Sequence, residues 1–147
     1  MAWGLILMWK VEMGMREINF RAWNEVEGFL DTAWSIDFEH RLVCHRAHNQ
    51  SDLDDCVLMQ YTGLKDANGI EIFEGDILGF CDFDSLRTGG NTSDKMHTAV
   101  VKFSEGSWVV EEGGYCDYLY QVIANDSELE IIGNIYENKE LLEGGEE

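Results

Sequence analysis

Proline is absent from this chain, and positively charged residues are scarce, with 10 Lys and Arg against 29 Asp and Glu. Without proline, turns must depend on the 15 glycines and on Asn, Asp and Ser side chains that hydrogen-bond nearby backbone groups. A formal net charge of −19 leaves no broad basic surface to neutralise nucleic-acid phosphates. Anionic membrane surfaces repel such a chain for the same reason. Direct nucleic-acid binding and membrane binding are therefore not expected.

Long hydrophobic runs and sorting signals are also missing. Trp3–Trp9 is apolar but too short to span a bilayer, and no charged segment or cleavage site marks it as a secretory signal. We expect residues 1–14 to form an apolar leader that is poorly ordered in the monomer or ordered only against a partner subunit. The four cysteines have irregular spacings without Cys-x-x-Cys, which indicates reduced thiols in a cytoplasmic protein. They are Cys44, Cys56, Cys81 and Cys116.

Catalytic and nucleotide-binding motifs are missing from the sequence as well. It contains no G-x-S-x-G nucleophile motif and neither a Walker A sequence nor G-x-G-x-x-G. The best metal constellation is Cys44, His45, His48 and Cys56, but its spacing matches no zinc pattern. Neighbouring residues in a strand point to opposite faces, which separates Cys44 from His45. We therefore predict no catalytic, cofactor-binding or metal-binding residues and no cofactor.

Two groups of acidic residues and one basic segment are further candidates for a functional site, and none has the pattern that such a site requires. An EF-hand loop needs ligands at fixed positions and a glycine turn, which the first acidic group lacks: Asp52, Asp54 and Asp55. Glu74 and Asp76 flank Gly75 and have the composition of an acid/base pair, but a turn in which Asp76 binds local N–H groups explains them better. The segment His40–His48 holds two Arg and three His, too few to offset the charge of the whole chain.

Alternating hydrophobicity predicts strands over the N-terminal part. In Met15–Asn24, Ile18, Phe20 and Ala22 share one face and Trp23 lies on the other. Further strands are expected in Phe29–Trp34 and Ser35–Cys44, followed by a loop or short helix in Ala47–Asp55 with Ser51 as N-cap. This region therefore indicates a small antiparallel meander.

The central stretch Leu58–Leu78 reads as a hairpin. Asn68-Gly69 predicts a type I′ turn, which needs positive φ at both positions. Ile70 and Ile72 are expected on one face of the returning strand. Gly75 then allows a sharp turn before the next strand.

The C-terminal half continues the β pattern with one helical interruption. The predicted elements are a loop over Asp82–Lys95, a hairpin of Thr98–Phe103 and Ser107–Glu112 around Glu105-Gly106, one or two helical turns within Tyr115–Ala124, a strand in Glu128–Tyr136, and an Asn138-capped helix over Lys139–Leu142.

Three separated motifs resemble the YopX family of phage and prophage proteins. They are MREINFRAW, VLMQYTGLKDANGIEIFEGDIL and EIIGNIYENKELL, and together they span Met15–Leu142. The family motif usually carries a proline where Lys139 stands, and both the leader and the Asp82–Lys95 insertion lie outside the motifs. The resemblance implies a mainly β protein (α+β) with an SH3-like small barrel in its C-terminal part, in the bacterial host cytoplasm. It supplies no reaction and no catalytic residues.

The 147 residues suit one YopX-like unit over 15–143. We expect an N-terminal β subdomain over 15–55, an SH3-like barrel subdomain with one or two short helices over 56–143, and an acidic tail over 144–147. These predicted units follow the apolar leader 1–14.

The expected function is that of a non-enzymatic interaction module that self-associates and binds an unidentified host or phage protein. One alternative is an acidic nucleic-acid mimic that blocks a basic DNA-binding protein. Another is a metal-dependent hydrolase using the Asp and His residues around position 50. Trp23, with Trp3 and Trp9, suits either a self-association surface or a second core face.

Overall fold

The computed structural model describes residues 16–82, 89–90 and 94–143. Strands make up 55% of the described residues, so the protein is mainly β. The elements of the first half are β1 (Phe20–Asn24), β2 (Phe29–Asp37), β3 (Leu42–His45), β4 (Ser51–Asp52), a 3-10 turn (Leu53–Asp55), β5 (Cys56–Lys65) and β6 (Glu71–Phe73). Those of the second half are β7 (Asp76–Asp82), β8 (Lys95–Ser104), β9 (Ser107–Glu112), β10 (Tyr115–Tyr118), α1 (Leu119–Asn125), β11 (Glu130–Asn134) and α2 (Glu140–Glu143).

The strands form two antiparallel sheets. The first has six strands in the order β4-β3-β2-β1-β5-β6, and the second has five in the order β10-β9-β8-β7-β11. The predicted SH3-like barrel is not confirmed, because neither sheet closes on itself over the described ranges. The first half of β5 instead pairs with β1, from Asn24↔Cys56 to Phe20↔Gln60. The domain limits 15–55 and 56–143 stay a prediction.

Each sheet contributes its own apolar core. The first has a small cluster of Ala22, Val43 and Leu53 on one face. The second has a larger cluster, to which β6 of the first sheet adds Ile72 and α1 adds two side chains: Ile72, Leu78, Phe80, Ala99, Val101, Val110, Leu119, Val122 and Leu129. Within a strand every second residue faces the same side, which brings pairs such as Leu78 and Phe80 of β7 into one cluster.

The opposite face of the first sheet packs against the second sheet. Trp23 stacks on Tyr136 with ring centroids 5.5 Å apart and planes inclined by 18°. Gly75, at φ +86°, leaves room for Met59, whose sulfur would lie 3.0 Å from an added Cβ. The N–H of Gly75 also donates to the carbonyl of Val101. The stack on Tyr136 favours the interpretation of Trp23 as part of a second core face over its interpretation as part of a self-association surface.

A buried ion pair crosses the same junction. Arg21 on β1 lies 2.7 Å from a carboxylate oxygen of Asp76 on β7, and the Asp76 side chain is only 3% exposed. The other Asp76 oxygen accepts the N–H of Phe73 at 2.8 Å, while the guanidinium carbon lies 4.9 Å from the centre of the Phe73 ring. Desolvation raises the pKa of Asp76 above its ordinary value, although Arg21 and the Phe73 N–H oppose that rise.

A second buried carboxylate organises the β5–β6 connection. One oxygen of Asp66 accepts the N–H groups of Asn68 and Ile70, each at 2.9 Å. The other accepts the N–H of Ile131 on β11 at 3.1 Å. The predicted type I′ turn is wrong, because positive φ occurs at Gly69 but not at Asn68. Asp66 holds its own loop in a different turn, closed by the Gly69 N–H on the Asp66 carbonyl.

Ile70 does not share the core face with Ile72. Its side chain is 56% exposed, whereas Ile72 is fully buried. The structure places Ile70 in the loop before β6, so strand alternation does not reach it. The predicted return of the chain at Gly75 is confirmed by the start of β7 at Asp76.

Two N-terminal predictions need correction. Ser35–Cys44 is not one strand, because β2 ends at Asp37 and β3 begins at Leu42. The carboxylate of Asp37 accepts the His40 N–H at 2.9 Å and so stabilises the intervening turn, where Arg41 has φ +58°. Ser51 lies in β4, and the N-cap of the 3-10 turn is Asp52, which accepts the N–H of Asp54.

The C-terminal elements agree in part with the elements predicted from the sequence. The hairpin around Glu105-Gly106 is confirmed by the pairing of β8 with β9. The helix within Tyr115–Ala124 is preceded by β10, and α1 begins only at Leu119. Asn138 was expected to cap the last helix, but its side-chain oxygen accepts the N–H of Asn134 instead. Residues 1–14, 144–147 and most of the Asp82–Lys95 insertion lie outside the described residues.

We predict that Arg21→Ala lowers the free energy of unfolding by about 3–5 kcal/mol near pH 7, because it leaves the Asp76 charge buried without compensation. The same change removes the charge that lowers the pKa of Asp76. As pH falls through that further raised pKa, Asp76 is neutralised in the folded variant, and the deficit against wild type shrinks. Urea denaturation at neutral and acidic pH measures both effects.

The matched control is Arg41→Ala, which removes an exposed pair with Asp54. It should cost at most about 1 kcal/mol. Equal losses in the two variants would contradict a special role for the buried pair.

We predict a graded response at Asp66. Asp66→Asn keeps one acceptor oxygen for the loop N–H groups but loses an acceptor for Ile131, whereas Asp66→Ala loses all three bonds. A buried N–H without a partner costs about 1–3 kcal/mol. Amide hydrogen exchange of Ile131 should accelerate in both variants, and that of Asn68 and Ile70 only in Asp66→Ala. Unchanged exchange at Ile131 would show that this bond does not form in solution.

Candidate functional site

The sequence-predicted histidine and cysteine group lies around β3 and β4. His45 is buried, and its Nε2 lies 2.8 Å from the Ser51 hydroxyl. The side-chain amide of Asn24 donates to the same hydroxyl at 2.9 Å. Among the described residues, Nδ1 of His45 has no hydrogen-bond partner. Desolvation lowers the pKa of His45, although the nearby charge of Asp31 opposes the shift. The arrangement therefore favours a neutral imidazole.

His48 takes a different position on the surface of this cluster. Its ring stacks on Phe29 with centroids 3.8 Å apart and planes inclined by 3°. Its Nδ1 lies 2.8 Å from a carboxylate oxygen of Asp31, which also accepts the N–H of Ala47 at 2.7 Å. These contacts fix the chain after β3.

The four Cys and His residues that the sequence offers as the best metal constellation do not converge. Cys44 contacts Gln50, with the sulfur 3.8 Å from the amide oxygen, whereas His45 points to Ser51. Burial raises the pKa of the Cys56 thiol, although Ser51 opposes the rise, so Cys56 favours the protonated form, which is neither nucleophile nor metal ligand. Within the described part of the chain, no three His, Cys, Asp or Glu side chains are placed to hold a metal ion.

The acidic candidates have structural partners. Asp52 caps the 3-10 turn and Asp54 pairs with Arg41. Asp76 is committed to Arg21 and to the Phe73 N–H, while the carbonyl of Glu74 accepts a bond from Arg21 at 3.3 Å. Glu74 and Asp76 thus serve the junction between the sheets rather than forming an acid/base pair.

A second histidine cluster, around His97, has no counterpart among the residues that the sequence singles out. His97 on β8 is buried, and its Nδ1 lies 2.7 Å from a carboxylate oxygen of Glu112 on β9. The second Glu112 oxygen accepts the N–H of Thr98 at 3.0 Å, and the imidazole stacks on Tyr115 at 4.0 Å. Strand pairing across β8 and β9 creates this contact, and no short sequence motif signals it.

An open groove lies on the outer side of β7, β8 and β11. It encloses about 610 Å³. Cys81 and Met96 are directly paired across β7 and β8, and both line the groove. The Ile132 side chain lies over Gly79, where an added Cβ would be 3.3 Å from its Cγ2. Met96 is 75% exposed and Ile132 38%, so the floor presents apolar surface to solvent.

Carboxylates surround this floor. Asp126, Glu128 and Glu130 line the groove, and none of the described lining residues is Lys or Arg. Asp126 is fixed by accepting the N–H of Cys81 at 2.7 Å and that of Glu128 at 2.9 Å. The pKa of Cys81 is raised by desolvation and by the charges of nearby aspartates, including Asp126. The groove is therefore apolar at its floor and negative at its rim.

Among described residues, no helix is long and apolar enough to cross a membrane.

The two-sheet architecture with its short helices defines a mainly β protein. The family model described as YopX protein matches residues 19–143, and the chain belongs to the YopX family. It is also similar to the crystal structure of protein EF1440 from Enterococcus faecalis, with 24% sequence identity and a TM-score of 0.63. That match covers 87% of this chain and 99% of the other, and it shows the fold alone. No curated protein matches the sequence.

We predict that His45 makes the stability of the protein depend on pH. The folded-state pKa of His45 lies below the ordinary value of about 6.5. The contribution of the neutral imidazole to the free energy of unfolding is therefore fully present above a pH of about 6.5 and is lost as pH falls through the folded-state pKa. The free energy of unfolding of wild type should therefore fall more steeply from about pH 7.5 to about pH 5.5 than that of His45→Asn. Parallel pH profiles would contradict a buried neutral imidazole.

Proposed function

We propose that this YopX protein is a non-enzymatic interaction module that self-associates and binds a second protein of the phage or its host. Membership in this family supports a phage or prophage origin, because the sequence resemblance implies that such genomes encode it. A cytoplasmic location fits this role, because both predicted partners are found in the infected cell.

Exposed aromatic side chains on the first sheet carry this proposal. Trp34 is 69% exposed at the irregularity between β2 and β3, and Phe38 is 66% exposed in the turn that follows β2. Large aromatic side chains are the most effective anchors at protein interfaces. Isolated in water, they expose apolar surface that association would cover.

The arrangement of the second sheet supports a binding role. Strands β7 to β10 follow each other as a meander, and α1 precedes β11, which returns to pair with β7. This order is consistent with the SH3-like unit proposed for 56–143. Small barrels of that kind support many unrelated binding functions.

The acidic mimic is the second candidate, and the net charge of −19 favours it. Such a protein would occupy the DNA-binding surface of a basic protein and would be displaced by salt. The hydrolase alternative has no assembled ligand set among the residues that the structure describes.

We predict that wild-type protein is larger than a monomer by light scattering, and that Trp34→Ser/Phe38→Ser shifts it toward the monomer mass. Truncating anchors at an interface removes the apolar contact that stabilises the assembly. The matched control is Tyr120→Ser, which removes an aromatic that is 60% exposed on α1 and should leave the mass unchanged. A monomeric wild type would overturn self-association.

A further inference from the structure

We propose that the groove over β7, β8 and β11 is the docking site for a basic, amphipathic segment of a partner protein. This inference rests on the proposed interaction function and specifies the chemistry of the partner. The occupant is an extended segment in which Lys or Arg residues alternate with apolar residues.

The floor of the groove selects for apolar side chains. Met96 is exposed beside Cys81, and Ile132 lies over the glycine at position 79. Methionine is unbranched and adaptable, which suits it to partners of varied shape. Because Gly79 has no side chain, Ile132 can lie close against β7 and form part of the floor.

The rim selects for positive charge. Glu128 and Glu130 are exposed, and Asp126 keeps its position through two backbone N–H bonds. Lys and Arg side chains bury their aliphatic stems along apolar surface while their charged ends remain at the rim. A segment with alternating character therefore matches floor and rim at once.

Nucleic acid is excluded as an occupant by the same charges, since phosphates would face the exposed carboxylates of Glu128 and Glu130 without a neutralising Lys or Arg in the described lining. An acidic segment is excluded on the same ground. A wholly apolar segment would leave the carboxylates without partners and gain no electrostatic attraction.

The test uses full-length protein and a fluorescein-labelled peptide of alternating arginine and leucine, with binding followed by fluorescence anisotropy. Wild type should bind this peptide more tightly than one of alternating arginine and serine, and should not bind one of alternating glutamate and leucine. Glu128→Lys/Glu130→Lys should weaken binding of the first peptide about tenfold or more. Met96→Ser/Ile132→Ser should remove its advantage over the arginine-serine peptide.

The matched control is Glu25→Lys/Glu27→Lys, which makes the same change in net charge on the exposed β1–β2 turn. It should change affinity by less than about threefold, because only the long-range field is altered and salt screens it. Equal losses in the two charge-reversal variants would overturn the groove as the binding site. No binding of the arginine-leucine peptide to wild type would overturn it too.

Light scattering on the same samples separates this inference from the proposed function. The groove variants should keep the wild-type mass, since they lie apart from Trp34 and Phe38. Normal self-association without peptide binding rejects the groove alone. A monomeric wild type that binds the peptide rejects self-association and retains the groove.

Discussion

The ion pair between Arg21 and Asp76 is the interaction on which the arrangement of the two sheets depends. It joins β1 in the six-stranded sheet to β7 in the five-stranded sheet. Burying a carboxylate is costly, and the pair persists because the Phe73 N–H and the Phe73 ring complete its surroundings. The Trp23–Tyr136 stack and the fit of Met59 against Gly75 then add apolar contact at the same junction.

Buried Asn and Asp side chains do in this chain what proline does in many others. Asn24 accepts the N–H groups of Val26 and Glu27, and Asn134 accepts those of Tyr136 and Glu137. Such bonds fix the direction of the chain without restricting φ covalently. The turn geometry therefore depends on hydrogen bonds rather than on proline rings. Water competes less for these bonds when they are shielded, and Asn24, Asp66 and Asn134 are all buried.

The sequence predicts the mainly β class and the β8–β9 hairpin, because these follow from local alternation and turn residues, and its three motifs carry the resemblance to the family. It does not predict that β5 joins β1, since that pairing depends on contacts between distant residues. For the same reason His97 and Glu112 were missed, and so was the groove, whose floor is assembled from Cys81, Met96 and Ile132 on three strands. The type I′ turn failed because a buried Asp66 overrides the preference of Asn68.

The bond from Ile131 to Asp66 has a consequence for how this protein meets other chains. Strand β11 lies at the margin of its sheet, where free N–H groups invite another chain to add as a further strand. A carboxylate already occupies the Ile131 N–H, and the Leu129 carbonyl accepts the N–H of Ala67. These two bonds leave fewer free backbone groups on β11 for another chain to pair with, so strand addition at this margin is disfavoured.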